Sequence, residues 1–257
     1  MRIVTWNVNS IRAREERLAA FLKTHAPDVL CLQELKCQEH EFPQMLVQSC
    51  GYRAVLWGQK TYNGVAILAK EDPQDVTRGF NDGGDPEGEQ ARFIVAKVRG
   101  VRVASAYFVN GGALGSDKWD YKLKWMRRLR AWLDANVRRD EPFALCGDFN
   151  VAPEARDVHA PEKWESSVLY HPDVRKALLH VQDFGLVDTF RKHVEGNVYS
   201  WWDYRAGAFN KDQGLRIDHV YATPVLAERS LKAEVIRDER KGQGASDHAP
   251  VVVEFSD

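Results

Sequence analysis

The chain has 257 residues, of which 44% are hydrophobic, 11% aromatic and 28% charged. A chain of this length buries roughly three quarters of its surface on folding, so it stands without disulfides or a structural metal, and collagen-like, disordered and miniature classes are excluded. Its 36 basic and 37 acidic side chains give a formal charge of −1, which supplies no chain-wide cationic field, so binding to a polyanion must be local.

In chain order, runs rich in Val, Ile and aromatic residues and bounded by turn formers predict strands at 2–8, 28–33, 52–58, 64–69, 92–98, 101–108, 143–147, 216–222 and 250–255. After the first, Ser10 is placed to cap a helix on which Ile11, Leu18, Phe21, Leu22 and His25 share a face before Pro27. The stretch 80–90 (FNDGGDPEGEQ) is a solvated loop whose acidity turns it away from any polyanion. A longer helix over 118–139 lines up Trp119, Leu123, Met126, Leu133 and Val137, while Lys122, Lys124, Arg127, Arg128 and Arg130 crowd its other positions as a basic face, which is either a solvated surface or a local patch for a polyanion. A third helix covers 172–184. Hairpin-like strand pairs among helices favour an α/β fold in which helices layer on sheets, rather than a βαβ repeat. One domain over 1–257 is expected, with no internal repeat or linker.

Cys31, Cys37, Cys50 and Cys146 fit neither a disulfide framework nor a zinc pattern. With no signal-peptide pattern and no run of about 18 apolar residues, a cytoplasmic protein without a membrane partner is expected.

Polar residues gather at the ends of the predicted strands, where sites are built. Asn7 and Asn9 close the first, Gln33 and Glu34 the second, Asn110 follows Phe108, Asp148 and Asn150 follow FALC, Asp218 lies in RIDHVY, and Ser246, Asp247 and His248 precede the last strand. Singly, each is an ordinary turn former or cap. Together, carboxylate, carboxamide and imidazole with few cations beside them describe a site for Mg²⁺ or Mn²⁺ rather than zinc. Neighbours on a strand face opposite ways, so only one of Asp218 and His219 faces the site. Asp218 is chosen, because a carboxylate can orient an imidazole such as His248.

The stretches TWNVNSIRA (5–13), LCLQELK (30–36), YNGVAIL (62–68), YFVNGGALGSDKWDYK (107–122), CGDFNVAPEARDV (146–158), GLVDTFR (185–191), YSWWDYR (199–205), GLRIDHVYAT (214–223) and SDHAPVVVEF (246–255) resemble, over nearly the whole chain, the exonuclease III type of apurinic/apyrimidinic endonuclease. That family lies in the endonuclease/exonuclease/phosphatase superfamily, which also includes DNase I. The resemblance implies two packed mixed β-sheets flanked by helices in a four-layer sandwich. It also implies a monomeric Mg²⁺-dependent phosphodiesterase that cuts duplex DNA 5′ to abasic sites, with 3′–5′ exonuclease and 3′-end-cleaning activity.

By the same resemblance, Glu34 holds the metal with Asn7 and Asp247 nearby, and Asp148, Asn150 and His248 complete the metal's surroundings. Asp148, helped by Asn150, activates the attacking water. His248, held by Asp218, contacts the scissile phosphate together with Tyr107 and Asn110. Trp201, Leu215 and Ile217, with Trp202 alongside, wall the abasic sugar, and Arg12, Lys36, Tyr62 and Asn63 contact the DNA backbone. The chain departs from the family pattern at Val109, where proline is usual, at Leu35, where threonine is usual, and at Asn9, where some relatives carry aspartate. Two other readings share many of these residues: a phosphatase or diesterase acting on a small or lipid phosphate, and a DNA-binding protein that has lost catalysis.

Overall fold

The computed structural model describes residues 1–85 and 90–257, so part of the expected loop at 80–90 lies outside the described residues. The first sheet is built from β1 (Arg2–Asn7), β2 (Val29–Gln33), β3 (Arg53–Trp57), β4 (Val65–Ala69), β11 (Ser230–Val235) and β12 (Val251–Phe255), in the order β11-β12-β1-β2-β4-β3. The second contains β5 (Gln74–Arg78), β6 (Phe93–Val98), β7 (Val101–Tyr107), β8 (Phe143–Asp148), β9 (Val187–Asp188) and β10 (Asp218–Ala222), in the order β5-β6-β7-β8-β10-β9. Both sheets are mixed, because β1 runs parallel to β2 and β7 parallel to β8 while the other neighbours are antiparallel. The helices are α1 (Glu15–His25), α2 (Gln44–Ser49), α3 (Asp117–Asn136), α4 (Pro172–Gln182) and α5 (Pro224–Ala227).

Side-chain alternation along each strand produces the layers. On β2, Val29 and Cys31 face the second sheet and pack with Ile3, Ile67, Val103, Cys146 and Val220, whereas Leu30 and Leu32 face α1 and meet Leu18 and Phe21. On β8, Ala144 and Cys146 join the inter-sheet core while Phe143 and Leu145 pack under α3 and α4 against Met126, Leu129, Leu133 and Leu178. Both faces of the central strands are covered, which is why they read as continuous apolar runs. Each such buried side chain contributes about 1.5–3 kcal/mol.

The elements that periodicity does not reveal are β5, β9, β11, α2 and α5. The two longer strands among them, β5 and β11, are edge strands with several exposed positions, and an edge needs no apolar run. Ser10 does not cap a helix. Its φ is 85° and its amide donates to the Glu34 carbonyl at 2.8 Å, so the loop after β1 is pinned to the end of β2 and α1 starts only at Glu15. Ser116 does cap α3, its Oγ accepting from the Trp119 amide at 3.2 Å. No described helix is long and apolar enough to cross a membrane.

Candidate active site

Topology alone collects the polar strand ends. Parallel β1 and β2 finish side by side at Asn7 and Gln33, and parallel β7 and β8 finish at Tyr107 and Asp148. Antiparallel β10 begins opposite Asp148 with Asp218, and β12 starts at Val251, shortly after His248, beside β1. The two sheets therefore deliver their polar ends to one seam. At Gly147, a Cβ would lie 1.8 Å from the Ala106 carbonyl oxygen, so only glycine lets β8 run against β7 up to Asp148.

Glu34 (φ 53°), Lys36 (φ 52°) and Asn150 (φ 50°) have left-handed backbones, a conformation that costs non-glycine residues of order 1 kcal/mol or more. Hydrogen bonds from both sides hold the first of these segments. Leu35 donates to Gly64 O, Lys36 to Asn63 O, and Ile11 to Leu35 O, all at 2.9–3.1 Å.

The side chains then interlock. Asn7 Nδ2 donates to Glu34 Oε1 at 2.8 Å and to Asp148 Oδ2 at 2.9 Å, bridging the two sheets. Asn150 donates its backbone amide to Asp148 Oδ1 at 2.9 Å and its Nδ2 to Phe108 O at 3.0 Å, and its Oδ1 accepts from Asn110 Nδ2 at 3.1 Å. His248 Nδ1 lies 2.8 Å from Asp218 Oδ2, which also accepts from Ser200 Oγ at 2.7 Å. His248 Nε2 points to Asp148 Oδ2 at 3.8 Å. Asp247 sits at the edge of this network, accepting from Asn9 Nδ2 at 3.0 Å and Trp201 Nε1 at 2.9 Å. Lys36 Nζ joins Asn9 Oδ1 at 2.5 Å to Glu34 Oε2 at 2.9 Å.

Burial and charge set the protonation states. Burial, with the Asp218 and Glu34 carboxylates adding to it against His248, pushes Asp148 up to about 7. For His248 burial opposes the charge, but Asp218 and Asp148 outweigh it and push the imidazole up to about 10. Burial, then the charges of Glu34 and Asp148, drives the Tyr107 phenol well above its usual range, leaving it a neutral donor. On the other face of β10, His219 is held down to about 4 by burial and then by Arg216. His219 lies against Phe149 and Tyr221 and bonds Val151 O at 2.9 Å, away from the site.

Glu34, Asp148 and His248 bring one ligand atom each to within 4.8 Å of one another. Two crowded carboxylates with carboxamides around them suit a hard divalent cation. His248 suits it less, because an imidazole that keeps its proton has no lone pair to give.

A cleft of about 470 Å³ opens beside this cluster, lined by Glu34, Lys36, Tyr62, Asn63, Tyr107 and Asn110 among others. Tyr62 is 68% exposed at its rim. Asn63 is buried and donates to Gln59 Oε1, and Arg12 pairs with Glu41 at 2.9 Å on the surface. Arg92, which the sequence reading passes over, also lines the cleft, its guanidinium 4.8 Å from the centre of the Tyr107 ring. Its position at the start of a strand, just after a polar loop, is a weak local signal.

Three expected DNA contacts offer no surface. Trp202 is 1% exposed, packs on Phe209 and donates its Nε1 to Asp212, because it points opposite to Trp201. Leu215 and Ile217 are at most 1% exposed and lie in the core with Phe149 and Val158, so they back the wall that Trp201 presents. Trp201 itself is part-exposed and meets Trp164 edge-on at 6.2 Å, beside a hollow lined by His159, Lys163 and Arg205.

The basic face of α3 is partly spent on the molecule itself, while Lys124 and Arg127 stay exposed. Arg128 pairs with Asp82 and Asp85 of the acidic loop, Arg130 pairs with Asp134, and Lys122 is buried.

Residues 4–248 match the model of the endonuclease/exonuclease/phosphatase family. Exodeoxyribonuclease III of Haemophilus influenzae is 32% identical over 99% of this chain and 100% of its own length. An AP endonuclease from Archaeoglobus fulgidus superposes with a TM-score of 0.96 at 39% identity, covering all of both chains. The 3′ phosphatase NExo from Neisseria, solved bound to product DNA hairpin, superposes with a TM-score of 0.95 at 41% identity, over 100% of this chain and 99% of that one. The two mixed sheets between helices are the fold of these relatives, and the chain is a hydrolytic nuclease of the phosphodiesterase class. The protein belongs to the endonuclease/exonuclease/phosphatase family, in its exonuclease III type of AP endonuclease.

Proposed function

We propose that the protein hydrolyses the backbone of duplex DNA on the 5′ side of abasic sites and also trims and cleans 3′ ends, as a monomer of one domain. The observation that carries this reading is the seam where Asp148, Asn150 and Asn110 form one hydrogen-bonded row facing His248 and Tyr107. A phosphodiester already carries negative charge, so attack on it demands charge neutralisation and a nucleophile in line with the leaving oxygen.

The His248 imidazolium, the Tyr107 phenol and the Asn110 amide are donors for the non-bridging phosphate oxygens. Asp218 fixes His248 through Nδ1, leaving Nε2 free to donate. Asp148, poised near neutrality, accepts the proton of the attacking water while Asn150 holds it in orientation. The water oxygen bonds to phosphorus as the bond from phosphorus to the upstream 3′ oxygen breaks. Glu34, with Asn7 and Asp148 beside it, is the group to hold Mg²⁺ or Mn²⁺. That cation would neutralise charge on the phosphate and on the leaving oxygen.

Trp201 forms the aromatic wall for a sugar without a base, since a nucleotide lacking its base leaves the stack at low cost. The four cysteines are free, which accords with action in the cytoplasm.

The test uses a 5′-labelled duplex with one internal tetrahydrofuran analogue, incubated with Mg²⁺ or with EDTA beside an undamaged duplex. The expected result is a single Mg²⁺-dependent cut immediately 5′ to the lesion. A ladder shortening from the 3′ end on both duplexes would make the protein chiefly an exonuclease. No cleavage of either would move the reading to a small-phosphate hydrolase.

A further inference from the structure

Lys122 is 0% exposed on the inner side of α3, where amphipathic spacing alone would leave a lysine in water. Burial pulls the Lys122 amine down to about 7, but the three groups around Nζ are all carbonyl oxygens, which only the ammonium meets with one proton each: Asn110 O at 3.0 Å, Asn150 O at 2.7 Å and Val168 O at 2.7 Å. Two of these carbonyls belong to Asn110 and Asn150, to which the reading above gives the phosphate and the water, one on the loop after β7 and one on the loop after β8. The third belongs to the segment leading into α4. The surroundings are shaped to the lysine stem, because a Cβ on Gly111 would come within 2.9 Å of Lys122 Cδ.

An unpaired carbonyl is costly to bury, and a buried ammonium is tolerated only when every proton is used. The three loops and α3 are thereby tied to one point. Val109 sharpens the need, because valine leaves free the φ angle that proline would fix next to Asn110.

We propose that Lys122 is a positioning residue for phosphodiester hydrolysis, a three-way tie that sets the Asn110 and Asn150 side chains at their working separation. The inference rests on the roles given above to Asn110 and Asn150. It predicts a loss in kcat and not in substrate capture, because loops displaced by tenths of an ångström still bind DNA but misalign the reacting groups.

The experiment measures kcat and KM on the tetrahydrofuran duplex with Mg²⁺ for wild type, Lys122→Gln, Lys122→Arg and Leu129→Ala, each below its unfolding temperature. Lys122→Gln is expected to lose kcat on the order of 10- to 100-fold, with KM within about twofold. Lys122→Arg, which keeps the charge and several donors, recovers part of the loss. Leu129→Ala removes a buried side chain from the same helix and lowers stability with kcat unchanged.

Combining Lys122→Gln with Asn110→Ala gives less than the product of the two single losses, since part of the Lys122 effect runs through the Asn110 side chain that the second substitution has already removed. Unchanged kcat in Lys122→Gln, or losses that multiply in the double variant, would overturn the proposal. If Lys122→Gln does not fold, the same cycle with Lys122→Arg decides. Full kcat in Asn110→Ala alone would overturn the role given to Asn110, and with it the proposal, and that failure shows on a different protein from the first.

Discussion

Asp148, Asn150 and Asp218 are at most 4% exposed, and each is held by side-chain or backbone hydrogen bonds of 2.7–3.1 Å. At the mouth of the adjoining cleft, Tyr62 is 68% exposed. The floor cannot choose another rotamer without leaving a buried polar atom unpaired, at a cost of about 1–3 kcal/mol. The rim can adapt to a flexible polymer. The floor is therefore fixed by the fold, while the rim offers side chains that the fold does not hold.

The sharpest way to break that contrast is at the floor. Asp148→Asn removes the proton acceptor with little change in shape, and turnover on the tetrahydrofuran duplex is expected to fall by about 10³ or more. Duplex affinity in EDTA, read by fluorescence anisotropy, stays near that of wild type, and full turnover would refute the role of Asp148. Next in size is Asp218→Asn, expected to cost on the order of 10² or more. It also removes the largest charge that raises His248. The imidazole then loses its proton at lower pH, so the alkaline fall in rate shifts to lower pH. An unmoved alkaline limb would show that His248 does not act as a cation.

Beside the second hollow, Trp201→Ala should lower the ratio of damaged to undamaged cleavage by about tenfold, the scale of one lost stacking contact. The apparent Mg²⁺ affinity should stay put, and an unchanged ratio would remove Trp201 from damage recognition.

A last effect falls on stability and leaves the rate untouched. His219 titrates near 4 in the fold and near 6.5 when unfolded. As pH falls between those values the unfolded chain binds a proton that the folded chain refuses, so stability drops by about 3 kcal/mol across that window. His219→Gln should flatten that part of the melting-temperature profile and leave neutral-pH turnover intact.

How much of this was readable in the sequence follows from the range of each interaction. Glu34, Asp148, Asp218 and His248 stand next to apolar runs that are strands because both faces are covered, so their places at strand ends could be read locally. Strand alternation said that only one of Asp218 and His219 faces the site, the pairing of a carboxylate with an imidazole chose Asp218, and the two do face opposite ways. Lys122 could not be read, since its three carbonyls lie on loops 12, 28 and 46 residues away in the chain. Arg128 looked like surface charge until its acidic partners at 82 and 85 came into place. The burial of Trp202, Leu215 and Ile217 could not be read either, because a motif names neighbours in sequence without saying which of them the core claims.

Because Glu34 and His248 come from the first sheet and Asp148 and Asp218 from the second, the reactive centre is also a fastener across the molecule's main seam. A divalent cation gripped from both sides would act as a rivet, and at a hundred times its dissociation constant it would raise the unfolding free energy by about 2.7 kcal/mol. Any breathing of the two sheets that loosened the rivet would disarm the chemistry before the chain came apart, so a partly opened molecule would be harmless to the DNA around it.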